Sequence, residues 1–251
     1  FPPQLEVTSG LHDVWLLPAA LLSLAIGMIG VLAAKRLDRL VAFSVIGSMG
    51  MVLVSIALFT PEGIAAALYY IVHSTLAGAV LFLISDLVRT GRANLDLTPQ
   101  PPVAGTALTA GLFFVGAIAM AGLPPLSGFL GKLLVLDAAY GTDLVVWIWA
   151  IVLGSSLISI IGFSRAGSIL FWKAHSVAPL DSDPPQPRPA TMSYVAVGGL
   201  VALLVAHTVF AGQMHGYAVT MAEQLFAPEP YISTVLDAPG KLSTPSTTGD
   251  Y

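Results

Sequence analysis

The chain consists largely of apolar runs of about 20 residues or more, and these runs are what most constrains its fold. A helix of about 20 residues crosses the roughly 30 Å hydrocarbon core of a bilayer. Hydrophobic residues make up 56% of the sequence and charged residues only 10%, whereas a typical soluble domain carries about 25% charged residues. The sequence therefore predicts an all-α, polytopic bundle of membrane-spanning helices. It argues against a β-barrel, whose strands alternate in hydrophobicity.

The apolar runs and the turns between them predict six spans, one of which is discontinuous. The discontinuous span lies within residues 103–140, and the continuous ones are predicted at residues 13–34, 40–59, 64–85, 144–163 and 191–211. We expect residues 1–215 to form a transmembrane helical domain. Residues 216–251 are expected to form a polar C-terminal tail that is extended or poorly ordered, because its end is rich in Ser, Thr and Pro.

Basic residues are distributed unequally between the two sets of predicted turns. Six spans make successive turns alternate between the two sides of the membrane, and one side then receives eight of the ten Lys and Arg residues. The other side receives only Lys241, and Lys132 belongs to neither set. Because basic turns are retained on the cytoplasmic side, both termini are predicted outside a bacterial inner membrane. The eight residues are Lys35, Arg36, Arg39, Arg89, Arg92, Arg165, Lys173 and Arg188.

The discontinuous span is interrupted by the segment AGLPPLSGFLGK, residues 121–132. Its two consecutive prolines remove two backbone donors and stop a helix. In lipid, such a break is tolerated only where the freed backbone groups face protein or a water-filled cavity. We expect one helical segment to end near Gly122 and a second to begin near Phe129. The residues expected to form the break, and to gate a path through it, are Pro124, Pro125, Ser127 and Gly128.

Lys132 follows the break directly and is costly at that depth in the membrane. An ionisable residue there marks an ion or proton path by default. Burial and the positive end of the following helix both favour the neutral amine, which would let Lys132 exchange a proton near neutral pH. The alternative is a lysine near a helix end whose charge reaches the membrane surface.

His73 lies in the middle of the third predicted span, with Tyr70, Ser74 and Thr75 beside it. A neutral imidazole donates from one nitrogen and accepts at the other, so it can relay a proton. The alternative is a histidine that is satisfied by a helix neighbour and serves only packing. The sequence leaves these two interpretations open.

Other polar residues in the apolar runs are weaker candidates. Ser155, Ser156 and Ser159 of the fifth span would either line a polar path or bond to carbonyls one turn back, and the second interpretation is the simpler one. His207 and His215 are expected at the membrane interface, near the outer end of the last span.

Several other classes of function have no support in the sequence. The chain has no cysteine, which excludes disulfides and thiolate metal sites. The segment around Gly128 and Lys132 lacks the glycine spacing and the Ser or Thr of a phosphate loop. No hydrolase motif is present, and the basic residues form short clusters beside spans rather than a nucleic-acid-binding surface. We expect no metal, no cofactor and no nucleic acid partner.

Three segments resemble the antiporter-like subunits that Mrp-type cation/proton antiporters share with respiratory complex I. They are residues 37–50 (LDRLVAFSVIGSMG), residues 69–79 (YYIVHSTLAGA) and residues 123–132 (LPPLSGFLGK). The last two are most similar to the D-type subunits of Mrp antiporters, and the resemblance covers most of residues 13–173. In the first segment, Asp38 stands where the family has lysine and Ser48 where it commonly has histidine.

The resemblance implies a discontinuous helix that carries a protonatable residue at the membrane midplane, and Lys132 falls on that position. His73 would then link half-channels along a central polar axis. Family subunits have about fourteen spans in two inverted repeats, and this chain resembles the second repeat and the closing span, so the first repeat would lie upstream.

The function implied by the resemblance is that of a transporter subunit rather than an enzyme. The chain would belong to a multisubunit sodium or other monovalent cation/proton antiporter, with the other subunits and the lipid bilayer as partners. One alternative is a proton-pumping subunit of complex I or a related membrane hydrogenase. A non-conducting membrane scaffold is the other.

Overall fold

In a computed structural model, the described part of the chain is a bundle of helices that run back and forth along one another. The structure describes residues 12–103, 105–178, 188–227 and 233–235. Across these ranges it contains no β-strand, only an isolated bridge between Arg36 and Asp96. The helices are α1 (Leu17–Ala33), α2 (Leu37–Ala57), α3 (Pro61–Arg92), α4 (Thr106–Ala121), α5 (Ser127–Ala138), α6 (Val145–Gly167), α7 (Thr191–Val209) and α8 (Ala211–Phe226). A short helical turn at His12–Leu16 precedes α1, and two turns at Ser168–Trp172 and Lys173–Ser176 extend α6.

Five helices within the described ranges are long and apolar enough to cross a membrane. The shorter α4 and α5 follow one another across a break and together form a sixth, discontinuous span. This confirms the predicted all-α bundle with about six spans. Helix α3 extends beyond its predicted end at residue 85. Arg89 and Arg92, which were expected in a loop, lie in its last turn. It ends at Ala93, whose φ of 58° is left-handed.

Helix α3 is the central element of the bundle and packs against α2, α4, α5, α7 and α8. Beside it, α1 and α2 approach each other closely through facing glycines. A Cβ atom placed on Gly50 would lie 2.5 Å from the backbone nitrogen of Leu24, and one on Gly27 would lie 2.4 Å from that of Gly47. Small residues of this kind are what allow helices to pack tightly in a membrane.

The basic residues predicted on one side of the membrane lie at one end of the bundle, in or beside the turns after α1, α3 and α6. There Arg36 and Asp38 form an exposed ion pair at 2.8 Å. Arg165 of α6 donates 2.8 Å to the carbonyl of Ala34 and so ties α6 to the end of α1. Which side of the membrane this end faces stays a prediction.

The chain after α7 does not become extended at residue 216. Helix α8 begins directly after Phe210 and packs on the first turns of α3, where Ala218 and Ala222 lie against Ala65. The predicted extended conformation is therefore wrong for residues 216–226, and the predicted domain boundary after residue 215 falls inside α8. Small side chains on one face let α8 approach α3, a tertiary contact that composition does not reveal. The rest of the predicted tail, apart from residues 227 and 233–235, lies outside the described residues.

Candidate functional site

The break between α4 and α5 has the predicted position. Helix α4 ends at Ala121, and Gly122 follows with a left-handed φ of 74°. Its N–H bonds to the carbonyls of Ile118 and Ala119, which closes the end of the helix. After the Pro124-Pro125 pair, helix α5 begins at Ser127, two residues before the predicted start at Phe129. The two helices of this span are thus separated by five residues that are not helical.

Lys132 lies on the first turns of α5 and points back at the break. Its side chain is buried, with 7% exposed, and its Nζ donates 2.7 Å to the carbonyl of Ala121 and 2.8 Å to the Oγ of Ser156. Carbonyls at the end of a helix have no partner within the helix and carry a partial negative charge. The ammonium group is therefore held by the C-terminal end of α4, an interaction that sequence reasoning missed because it considered only the start of α5.

Gly122 provides the room that this arrangement needs. A Cβ atom at Gly122 would lie 2.6 Å from Cδ and 2.9 Å from Nζ of Lys132, closer than non-bonded atoms approach. The glycine thus serves the left-handed turn and the passage of the lysine side chain at the same time.

A small polar cavity lies beside Lys132, between α1, α2, α3 and α6. The volume open to the centre of a water molecule is about 10 Å³, which is close to the minimum for one water. Ser48 joins two hydroxyl groups beside the cavity. Its Oγ lies 2.7 Å from the Oγ of Ser74 and donates a hydrogen bond of 3.3 Å to the Oη of Tyr70. The polar residues lining the cavity are Ser44, Ser48, Tyr70, Lys132, Ser155 and Ser159.

His73 is fully buried; its ring lies beside that of Tyr70 on the same helix, with centroids 5.5 Å apart, and its hydrogen bond goes to the break. Its Nδ1 lies 2.9 Å from the Oγ of Ser127, the first residue of α5. Its Nε2 faces Gly128, where a Cβ atom would lie 2.7 Å away. Two of the predicted break residues therefore form the surroundings of the predicted relay.

The last span completes this side of the site. Thr208 of α7 accepts a hydrogen bond of 2.9 Å from the backbone N–H of Ser127 at its Oγ1. The adjacent His207 is 6% exposed and stacks on Tyr69 of α3, with ring centroids 4.4 Å apart. His207, expected at the membrane interface near the end of the last span, is buried within the protein because its helix packs against α3 at this point; its depth in the membrane stays a prediction. The sequence signal that could have revealed this contact is the pair His207-Thr208, two polar residues side by side in an apolar run.

The remaining predicted residues fall into two groups. Ser155 is buried and donates to a carbonyl of its own helix, and Ser159 is buried and donates 3.0 Å to the sulfur of Met28. Both line the cavity beside the lysine. Thr75 is not brought into the site, since it lies on the exposed face of α3 and donates to a backbone carbonyl one turn back. Asp137, on the same helix as Lys132, is exposed.

No group of three or more His, Cys, Asp or Glu residues that could hold a metal ion is found in the described part of the chain. What the site offers is a buried amine, an imidazole and a series of hydroxyl groups. These are groups that bind and pass protons.

The fold and the site define a multi-pass membrane protein with a buried lysine at a helix break. The chain belongs to the family described as NADH:quinone oxidoreductase/Mrp antiporter, TM, whose model matches residues 2–159. The resemblance read from the three sequence segments is thereby confirmed.

Relatives within this family come from two kinds of complex. The D-type subunit of the Na(+)/H(+) antiporter of Bacillus subtilis is 30% identical over 231 residues, which cover 89% of this chain and 44% of that protein. The N-type subunit of the NADH-quinone oxidoreductase of Gluconacetobacter diazotrophicus is 31% identical over 214 residues, covering 82% and 42%. The chain therefore spans less than half the length of these relatives.

Solved structures show the same fold. The Mrp complex from Dietzia sp. DQ12-45-1b contains a chain with a TM-score of 0.76 and 23% identity, over 90% of this chain and 50% of that one. Respiratory complex I from Thermus thermophilus with bound NADH contains one with a TM-score of 0.72 and 26% identity, over 88% and 46%.

Proposed function

We propose that the chain forms the second repeat and closing span of an antiporter-like subunit, and that it carries part of a proton path in a multisubunit sodium or other monovalent cation/proton antiporter. The observation that carries the proposal is the position of Lys132. It is a buried amine that bridges the end of α4 and a hydroxyl of α6, at the break of a membrane-spanning helix. The likeness to the D-type subunits of Na(+)/H(+) antiporters supports the class of transporter.

Lys132 acts as the proton switch of this path. The ammonium form donates to the Ala121 carbonyl and to the Ser156 hydroxyl. The neutral amine keeps two N–H donors and gains a lone pair, which can accept from the rotating hydroxyl of Ser156. Ser156 therefore satisfies both protonation states, and the proton enters or leaves through the hydroxyl-lined cavity beside the lysine.

The break couples Lys132 to His73. Both are held by the ends of the two half-helices, Lys132 by the carbonyl of Ala121 and His73 by the hydroxyl of Ser127. A shift of α5 relative to α4 would lengthen both hydrogen bonds at once. The segment Pro124–Gly128 thus gates the path, and His73 relays the proton across it.

The complete subunit would lie in the bacterial inner membrane, with the end of the bundle that carries the basic turns in the cytoplasm and both termini of this chain outside. Its partners are the other subunits of the antiporter and the surrounding lipid. A second candidate is a proton-pumping subunit of a redox-driven complex, which the likeness to the N-type subunit of NADH-quinone oxidoreductase favours. In a non-conducting scaffold, the buried lysine would have no role in transport.

The test is cation-driven proton movement in everted membrane vesicles that hold the complete complex. Lys132→Ala is compared with Lys173→Ala, whose side chain is exposed at the end of the bundle. We expect Lys132→Ala to abolish cation/proton exchange and Lys173→Ala to retain it, at equal amounts of assembled complex. Undiminished exchange in Lys132→Ala would refute the switch. Proton movement driven by NADH but not by cations would establish the redox-driven candidate instead.

A further inference from the structure

A second buried polar cluster lies at the interface of α3 and α7 and shares only His73 with the path proposed above. Its members are Tyr69, His73 and His207, which are 2%, 0% and 6% exposed. Within the described residues, the Oη of Tyr69 and the Nε2 atoms of both histidines are buried and have no hydrogen-bond partner in the protein. Buried polar side-chain atoms are normally satisfied by protein or by ordered water. The Nε2 of His73 faces Gly128 of α5, so the unpartnered atoms of the α3–α7 interface are the Oη of Tyr69 and the Nε2 of His207. They indicate a place that water or a proton enters.

The cluster is joined to the break through one residue. Ser127 contacts His73 through its Oγ, at 2.9 Å from Nδ1, and donates its backbone N–H to Thr208, at 2.9 Å. Thr208 is the neighbour of His207, whose ring stacks on Tyr69. A shift at the start of α5 therefore acts on both histidines, one through each hydrogen bond.

We propose that His207 is a further proton-carrying residue, which with the hydroxyl of Tyr69 forms a branch of the path between His73 and the side of the bundle where α8 lies. This rests on the proposed function of the chain in proton translocation. The branch leaves His73 on the side away from the cavity of Lys132, along the interface of α3 and α7.

Each passage of the branch is a pair of proton transfers. The neutral ring of His207 takes a proton at its unprotonated nitrogen from a hydronium ion on the His73 side, so an N–H bond forms and the hydronium becomes water. An N–H bond of the resulting imidazolium then breaks, and its proton passes to a water molecule on the α8 side, which becomes hydronium and leaves the ring neutral. The Tyr69 hydroxyl hydrogen-bonds to the water that carries the proton, since a hydroxyl can both donate and accept.

The groups that face His207 are few, so its charge depends on few neighbours. Helix α3 contributes Tyr69 and His73, and α4 contains no ionisable residue. Lys132 of α5 points at the end of α4 and at α6 instead, and His73 is the residue whose charge interacts with both Lys132 and His207. The ionisable residues of α8, His215, Tyr217 and Glu223, are at least partly exposed.

The experiment uses two substitutions of His207 in the complete complex, assayed for cation/proton exchange in everted vesicles. His207→Gln retains hydrogen-bonding groups but cannot carry a proton near neutral pH. His207→Phe retains a ring to stack on Tyr69. We expect both to slow exchange by at least about ten-fold, within the range of losses when a proton-transferring group is removed, and to change the pH profile. The control His175→Gln alters an exposed histidine in the turn after α6 and should leave the rate unchanged.

The outcomes separate this inference from the proposed function. If Lys132→Ala abolishes exchange while both His207 variants keep the wild-type rate and pH profile, the branch is wrong and the switch stands. If His207→Phe alone keeps them, the ring only packs, and the branch is equally wrong. If Lys132→Ala exchanges normally, the proposed function itself fails. Should the His207 variants not assemble, Tyr69→Phe removes only the unpartnered hydroxyl, and a wild-type rate and pH profile for that variant would overturn the branch.

Discussion

The backbone N–H of Ser127, the first residue of α5, donates a hydrogen bond of 2.9 Å to the Oγ1 of Thr208 in α7. The first N–H groups of a helix have no partner within the helix, and a side chain close by in sequence usually satisfies them. Here the cap comes from 81 residues further along the chain. The last span therefore caps the start of α5 and ties the second half of the discontinuous span to α7.

Thr208→Val should loosen this junction, because valine has nearly the same shape but offers no oxygen to the Ser127 N–H. Leaving a buried donor unsatisfied costs about 1–3 kcal/mol. We expect purified complex to lose activity at a lower temperature, measured as residual exchange after heating and reconstitution. The matched control is Thr220→Val on α8, an exposed threonine that bonds only within its own helix. Equal heat resistance of the two variants would show that the junction contributes nothing.

Gly122→Ala should displace the side chain of Lys132. The left-handed φ of 74° is unfavourable for alanine, by about 1–2 kcal/mol, and its Cβ would lie 2.6 Å from the lysine Cδ. We expect cation/proton exchange to fall strongly, with a smaller loss of assembled complex. Gly154→Ala in α6 is the control, because a Cβ there meets no atom within 4 Å. Normal exchange in Gly122→Ala would mean that the lysine does not need its observed position.

Ser156→Ala removes the hydroxyl that accepts from Lys132 and leaves the Ala121 carbonyl as its hydrogen-bond partner. Hydrogen bonds to charged groups contribute about 1.5–3 kcal/mol, so the balance between the two protonation states of the lysine should change. We expect an exchange rate reduced about ten-fold or more, measured across a range of pH values. Ser164→Ala, an exposed serine of the same helix, should behave as wild type. A rate and pH profile identical to wild type in Ser156→Ala would remove Ser156 from the mechanism.

Much of this arrangement could be predicted from the sequence because it depends on local properties. Apolar runs of membrane-spanning length predicted the helices, and Pro124 and Pro125 located the break to within a few residues. Lys132 and His73 stood out because ionisable groups are rare in such runs. The contact of His73 with Ser127, in contrast, joins two residues that are 54 positions apart along the chain, so it is not a local property.

The residues missed by sequence reasoning are those whose surroundings come from distant elements. His207 was expected at an interface because the last span was predicted to end at residue 211. Residues 216–226 of α8 were expected to belong to a tail because the end of the chain is rich in Ser, Thr and Pro, and the small residues that pack on Ala65 gave no signal. In both cases the decisive partner is α3, more than 100 residues earlier in the chain. Periodicity and composition report on neighbours in sequence and carry no information on such contacts.

The most direct test of the central claim is the exchange rate of Lys132→Arg in the complete complex. Arginine keeps the positive charge and the hydrogen-bond donors but does not release its proton in proteins. If Lys132 works by binding and releasing a proton, Lys132→Arg should assemble normally and exchange cations for protons at less than about a tenth of the wild-type rate, in line with the loss of a proton-transferring group. Exchange at the wild-type rate would show that a fixed charge suffices there, and would contradict the proton switch.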